Sequence, residues 1–420
     1  MERRVFLTGL GGVVAGTSSL LGASAATPPL RIRKSVAELP VDHPDLAALR
    51  KAIPLMRRSG AWDTQIAIHA DIGQRHHSSW RFLPWHRIQL VWFERQVARL
   101  SGYKDFALPY WDWDGDRIPD VLLEDPILSV PGREAGPEDR ISAFMRSNGQ
   151  SYTGRVTDDF STFFGRARNQ NGAGGQYYSG SGEWSGHNLI HGFVGGDMGR
   201  LDRSPNDPLF WMHHANIDRV WTVWRERNPQ EIYPKPWRDE VLGGFVDAYG
   251  RSAPSTTAAA TLNTASFGYG YAVDPTPLIL FAVAPRKRLK DQPASWLMQQ
   301  TGPQSGFIDI PAELAAAQKA SAVGYLDVAP DPDGPSVIRL TAQGVSQSAP
   351  FYQDAVVLVP MVGCTSSQGH RLNMNGLWSG GVNETVRLSV EVAPLAGRGG
   401  GTTTTRLLSL VLDADLTFFE

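Results

Sequence analysis

Eight of the ten histidines in this 420-residue chain lie in two windows, His69 to His86 and His187 to His214, and both windows are largely helical in pattern. In "HNLIH", His187 and His191 stand four apart, so on a helix both rings leave one face and can share a metal ion. The next helical run, "DPLFWMHHANIDRVW" from Asp207 to Trp221, carries His213 and His214. On that helix His214 shares a stripe with Phe210, Trp211, Ile217 and Trp221. His213 sits about 100° round the axis, toward Leu209, Asn216 and Val220. The stripe predicts that His214 faces inward as a third ligand. The earlier window repeats the logic: His69 shares a helical face with Ile66 and Ile72, His77 lies in a connection beside His76, and His86 shares a face with Leu90 and Phe93. A single histidine on an apolar face is ordinarily a hydrogen-bonded core residue. Two triplets on helices able to face each other would need many such coincidences, so the pattern predicts a metal centre.

The donor set narrows the metal. Asn188 follows His187 where a zinc protease needs its glutamate base, so this is not that motif. A di-iron site in a helix bundle is built mainly from Glu and Glu-x-x-His. Zinc accepts imidazole, but a hydrolytic zinc pair normally includes Asp or Glu, and neither window offers one at ligand spacing. Imidazoles without a carboxylate partner favour copper. Cys364 is the only cysteine, which excludes a disulfide framework and a multi-thiolate site. A formal net charge of −2 gives no electrostatic case for nucleic acid or an anionic membrane surface, and points to a small, uncharged substrate.

The length predicts two folded units. Apolar spacing predicts helices from near Asp42–Asp45 to Arg58, over 63–72, 84–100, 187–194 and 208–226, with 103–186 mostly loop. From about residue 280 short alternating runs such as Val337–Leu340, Ala355–Val362, Thr385–Val392 and Leu407–Phe419 predict a β-rich, sandwich-like domain. Residues 1–26 place Arg3 and Arg4 before a weakly apolar Gly- and Ala-rich run ending in Ala23-Ser24-Ala25, the pattern of a cleavable export signal rather than a stable membrane anchor. The paired arginines match the twin-arginine pathway, which exports folded proteins to the periplasm or beyond. Metal loading before export is then expected, with a copper chaperone as a candidate partner.

Four strings, "HHSSWRFLPWHRIQLVWFE" (76–94), "LPYWDW" (108–113), "HNLIHGFVGGDM" (187–198) and "SPNDPLFWMHHANIDRVWTVW" (204–224), resemble the tyrosinase, polyphenol oxidase and haemocyanin group of type 3 copper proteins. The resemblance spans about residues 31–272. It implies a mainly α catalytic domain over 27–272, a four-helix bundle holding two copper ions, followed by a β-rich domain over 273–420 able to act as a lid. Carried over position by position, it makes His69, His77 and His86 ligands of one copper and His187, His191 and His214 ligands of the other. The spacing between His69 and His77 is shorter than is usual in the family, which leaves His76 as a rival to His69. Arg75 stands where some members place a thioether-forming cysteine, so no such link can form.

The same resemblance implies that Glu183 and Asn188 hold a water as catalytic base, and that Gly192 and Leu201 shape substrate access. "GYGY" (268–271) with Arg33 matches the motif that closes the family's catalytic domain. Asp218 and Arg219 read as a buried ion pair or as a brace for a histidine. The implied activity is oxidation of phenols or o-diphenols to o-quinones by dioxygen, of tyrosinase, catechol oxidase or o-aminophenol oxidase type. Haemocyanin-like dioxygen binding without turnover is the alternative.

Overall fold

The computed structural model describes residues 30–147, 160–167, 177–180, 182–271, 288–317, 319–331, 334–359, 368–378, 384–396 and 402–419. The expected export signal, the expected domain boundary at 272/273 and Cys364 lie outside these residues.

Strand β1 (Arg31–Arg33) opens the described chain and is followed by helix α1 (Pro44–Ser59). Proline in its first turn costs no hydrogen bond, the His43 Nδ1 accepts the Asp45 N–H at 3.2 Å, and Gly60 ends it at φ 74°. Helices α2 (Ala61–Asp71) and α3 (Phe82–Ser101) follow, the latter ended by Gly102 at φ 77°. The stretch expected to be mostly loop contains short helices at Asp120–Glu124, Ile141–Ser147 and Phe160–Phe164 and two short strands, β2 (Gly165–Ala167) and β3 (Tyr177–Ser179). A π-helical turn, Gly182–His187, leads into α4 (Asn188–Val194). Helix α5 (Pro208–Arg227) begins at Asp207, whose carboxylate accepts the Leu209 N–H at 2.8 Å.

The helical part is closed by strand β4 (Tyr269–Tyr271), paired in parallel with β1. Beneath this pair lies a buried charge cluster. Arg33 donates to Glu94, to Asp218 at 3.2 Å and to the Tyr271 hydroxyl at 2.9 Å, while its guanidinium lies 3.7 Å from the Tyr269 ring centre. Arg87 also pairs with Asp218, which accepts from the hydroxyls of Tyr269 and Tyr271 at 2.7 and 2.6 Å. Burial alone would raise the Asp218 carboxyl, but Arg87 and Arg33 hold it below the ordinary carboxylate range. Asp218 and Arg219 do not pair with each other as expected: on successive positions they point to different faces, and Arg219 meets Asp112 at 3.0 Å.

The remainder is β-rich, as expected. Its strands are β5 (Arg288–Leu297), β6 (Gln299–Gly302), β7 (Ser305–Ile310), β8 (Lys319–Ala329), β9 (Ser336–Gly344), β10 (Tyr352–Leu358), β11 (Gln368–Asn373), β12 (Val386–Pro394) and β13 (Arg406–Phe419). They form a five-stranded sheet in the order β10-β9-β12-β7-β6 and a six-stranded sheet in the order β2-β3-β11-β8-β13-β5. Ile338, Leu340, Val356 and Leu388 of the first sheet share one core with Leu326, Leu372, Leu410 and Leu412 of the second. Two features join this part to the helices. Strand β3 pairs in parallel with β11, with Tyr178 opposite Gly369 and Ser179 opposite His370. Val337, Ala355, Val357 and Leu395 are buried in the core of the helical part rather than in the core between the sheets.

Candidate metal centre

The two histidine sets lie side by side inside the helical part. His69 comes from the last turn of α2, His77 from the connection after it and His86 from the first turns of α3. His187 ends the π-helical turn, His191 lies on α4, and His213 and His214 lie on α5. The candidate donor atoms of His69, His77 and His86 lie within 4.8 Å of one another, as do those of His187, His191, His213 and His214. Across the sets, the rings of His77 and His187 are 5.4 Å apart and those of His86 and His214 are 4.3 Å apart.

Five of these rings have a fixed tautomer. The Nδ1–H groups of His69, His77, His86 and His191 donate to the carbonyls of Leu201 (2.7 Å), Gly73 (2.9 Å), Phe82 (2.8 Å) and Met198 (2.6 Å), and that of His187 donates to the Asn188 Oδ1 at 2.8 Å. An acceptor oxygen requires the proton on Nδ1, so each Nε2 carries a lone pair. All five Nε2 atoms are buried without a hydrogen-bond partner. Buried polar atoms are normally satisfied, so this concentration of unmet lone pairs is a metal-site signature, and its donors suit copper. One loop serves both sets, because Leu201 anchors His69 and Met198 anchors His191. Burial keeps every ring neutral: it drives His77 down to about 4 and His191 to about 3, and holds His69, His86, His187, His213 and His214 well below the ordinary imidazole value.

His76 lies outside both sets and stacks on Trp85, with ring centres 5.3 Å apart. Burial does not separate the His213–His214 pair, since both are at most 1% exposed and both nitrogens of each lack a hydrogen-bond partner. Position does. The His214 ring sits between the two sets, 4.3 Å from His86 and 4.9 Å from His187, whereas His213 lies on the far side of the second set alone, 4.8 Å from His191 and 5.2 Å from Trp113.

Glu183 is buried rather than solvated. Both its oxygens accept the Ser78 N–H, at 2.7 and 2.9 Å, and burial pushes its carboxyl up to about 8. Asn188 is also engaged, its Nδ2 donating to the Val357 carbonyl of β10 at 3.0 Å. The two positions expected at the site mouth are covered from the β-rich part. A methyl group on Gly192 would lie 2.6 Å from Leu395 Cδ2, and the buried Leu201 packs on Val359. Sequence patterns supplied no signal for these partners, which lie about 150 to 200 residues away in the chain.

Residues 59–158 and 133–227 match the family described as the common central domain of tyrosinase. The chain is 30% identical over 271 residues to a tyrosinase of Streptomyces glaucescens, covering 52% of this chain and 96% of that protein. It is 31% identical over 273 residues to a tyrosinase of Streptomyces antibioticus, covering 52% and 97%. Among solved structures, latent apple tyrosinase superposes with a TM-score of 0.66 at 20% identity over 94% of this chain and 98% of that one. A functional unit of octopus haemocyanin reaches 0.53 at 14% identity over 90% and 99%. The structures establish likeness of fold; the sequence matches establish descent. A dicopper family explains why so many imidazole lone pairs are gathered in two adjoining sets, and the chain belongs to it: it is a member of the tyrosinase family, whose members are type 3 copper oxidoreductases.

Proposed function

We propose that this protein oxidises small phenols or o-diphenols to o-quinones with dioxygen, and that His69, His77 and His86 hold one copper ion and His187, His191 and His214 the other. The observation that carries this reading is the set of Nδ1-anchored rings whose Nε2 lone pairs meet no partner. Bound copper supplies the redox chemistry with dioxygen. The protein's part is to fix each tautomer, keep the rings neutral and hold the helices that carry them, which we read as a four-helix bundle of α2, α3, α4 and α5. A phenol ionises near pH 10, so a base close to the site assists its loss of a proton. Glu183 and Asn188 are the candidates for holding a water in that role. Each Asn amide carries two N–H groups, and only one of those on Asn188 is given to Val357.

We further propose that residues 27–272 form the catalytic domain and 273–420 a lid that holds the enzyme latent. Leu395 over Gly192, Val359 on Leu201 and Val357 on Asn188 support this. Residues 1–26 are proposed as a twin-arginine signal on the strength of Arg3, Arg4 and the Gly- and Ala-rich run. The covered site equally suits a dioxygen-binding protein without turnover. The deciding experiment assays the copper-loaded full chain and its Leu395→Ala variant on tyrosine, catechol and o-aminophenol. Quinone formation from catechol in either protein supports the oxidase. Reversible dioxygen uptake with no quinone in both supports the carrier. Turnover of tyrosine separates a monophenolase from an enzyme limited to o-diphenols or o-aminophenols.

A further inference from the structure

Ser78, which directly follows His77, has φ 54°, in the left-handed region that residues other than glycine avoid. Its N–H points into the two oxygens of Glu183, 105 residues further along the chain. Glu183 lies in the π-helical turn that ends in His187, one turn before that histidine. The contact therefore spans the two histidine sets at the place where the His77 and His187 rings stand 5.4 Å apart. A carboxylate only 4% exposed is costly to bury, and both its oxygens accept from this turn. Deviant backbone next to a ligand, held by a buried acceptor from the opposite set, is how a short connection can be kept in one geometry.

We propose that Glu183 acts as a strap, a positioning residue that fixes the separation of the two copper ions by gripping the Ser78 amide. This rests on His77 and His187 being ligands of different ions. The strap needs an acceptor oxygen of the right reach, not a negative charge. Glutamine preserves it, alanine abolishes it and aspartate shortens it by one methylene. Glycine at position 78 adopts the left-handed turn without steric cost and so lessens the need for it.

The test uses the full chain loaded with cupric ion and measures copper per chain together with the electron paramagnetic resonance signal. Two bridged cupric ions at the correct separation couple and are silent, whereas separated ions each give a signal. Wild type and Glu183→Gln are expected to hold about two copper ions and stay silent. Glu183→Ala is expected to keep its copper but show at least a tenfold larger signal, reduced again in the Ser78→Gly/Glu183→Ala double variant. A folded, copper-loaded Glu183→Ala protein as silent as wild type would overturn the strap, as would a Glu183→Gln protein with the alanine signal. If the alanine variant does not fold, Glu183→Asp takes its place, with the larger signal expected and silence again overturning the idea. A wild-type protein that fails to hold two copper ions, or holds them uncoupled, refutes the underlying ligand assignment instead, and is told apart by needing no variant.

Discussion

Replacing Leu395 by alanine should convert a covered site into an accessible one. Leu395 is 2% exposed and belongs to the helical core, so the burial it loses falls mainly on docking between the two parts rather than on the sheets themselves. Removal of a buried leucine side chain to alanine costs about 2–5 kcal/mol, and its contact with Gly192, which has no side chain to swing into the space, favours incomplete collapse. Taking about 2–3 kcal/mol for the docking step and about 1.4 kcal/mol per decade, the undocked fraction rises roughly 30- to 150-fold. The assay is initial quinone formation from catechol at low substrate, where the rate reports kcat/KM, normalised to bound copper. The expected gain follows the undocked fraction until that fraction saturates. An unchanged kcat/KM at equal copper content, in a variant whose melting shows the lost packing, would refute the cover.

Three further outcomes follow from the same geometry. His214→Ala should lose about one of the two copper ions while His213→Ala keeps nearly both, measured by metal analysis; equal losses would contradict the placement of His214 between the sets. Asp218→Asn leaves the buried Arg33 and Arg87 with one carboxylate fewer and should cost about 3–5 kcal/mol, read from urea unfolding; a cost below about 1 kcal/mol would refute the role of the cluster. In copper-stripped protein the histidines bind protons less readily folded than unfolded, His77 titrating at about 4 and His191 at about 3 against an ordinary 6.5. Their contribution is therefore complete above pH 6.5 and is lost as the pH falls toward 4 and below, by up to about 1.4 kcal/mol per unit for each group. Glu183, raised to about 8, acts in the opposite sense between 4.5 and 8. Stability should accordingly peak near pH 6.5, and a denaturation midpoint that rises as the pH is lowered from 6 to 4 would refute the burial of neutral rings.

The helices bearing histidines were readable because each combines apolar periodicity with a clear start or stop, such as Asp207-Pro208 or Gly102. His187 and His191 were readable as neighbours because spacing of four on a helix is itself geometry. What escaped the sequence depends on partners far along the chain. Strands β2 and β3 are three residues each, β2 pairing with β3 and β3 with β11, about 190 residues later. The Ser78 turn meets Glu183, 105 residues later, and no residue preference of serine announces a left-handed conformation. The stripe argument for His214 over His213 relied on one face of α5 being the more buried, whereas its first half is buried all round. The decisive difference is which neighbours each ring meets. Arg219 fell to Asp112 because neighbouring helix positions diverge by about 100°.

The parallel pairing of β3 with β11 also determines what a protease can accomplish. A cut anywhere in 272–287 severs the chain, yet the two fragments remain laced through one continuous sheet and through the residues they bury together. Such a nicked protein should elute as a single species and come apart only when the sheet is peeled open by denaturant, acid or detergent. Scission alone would thus leave the cover in place, and removing it would need a separate release step.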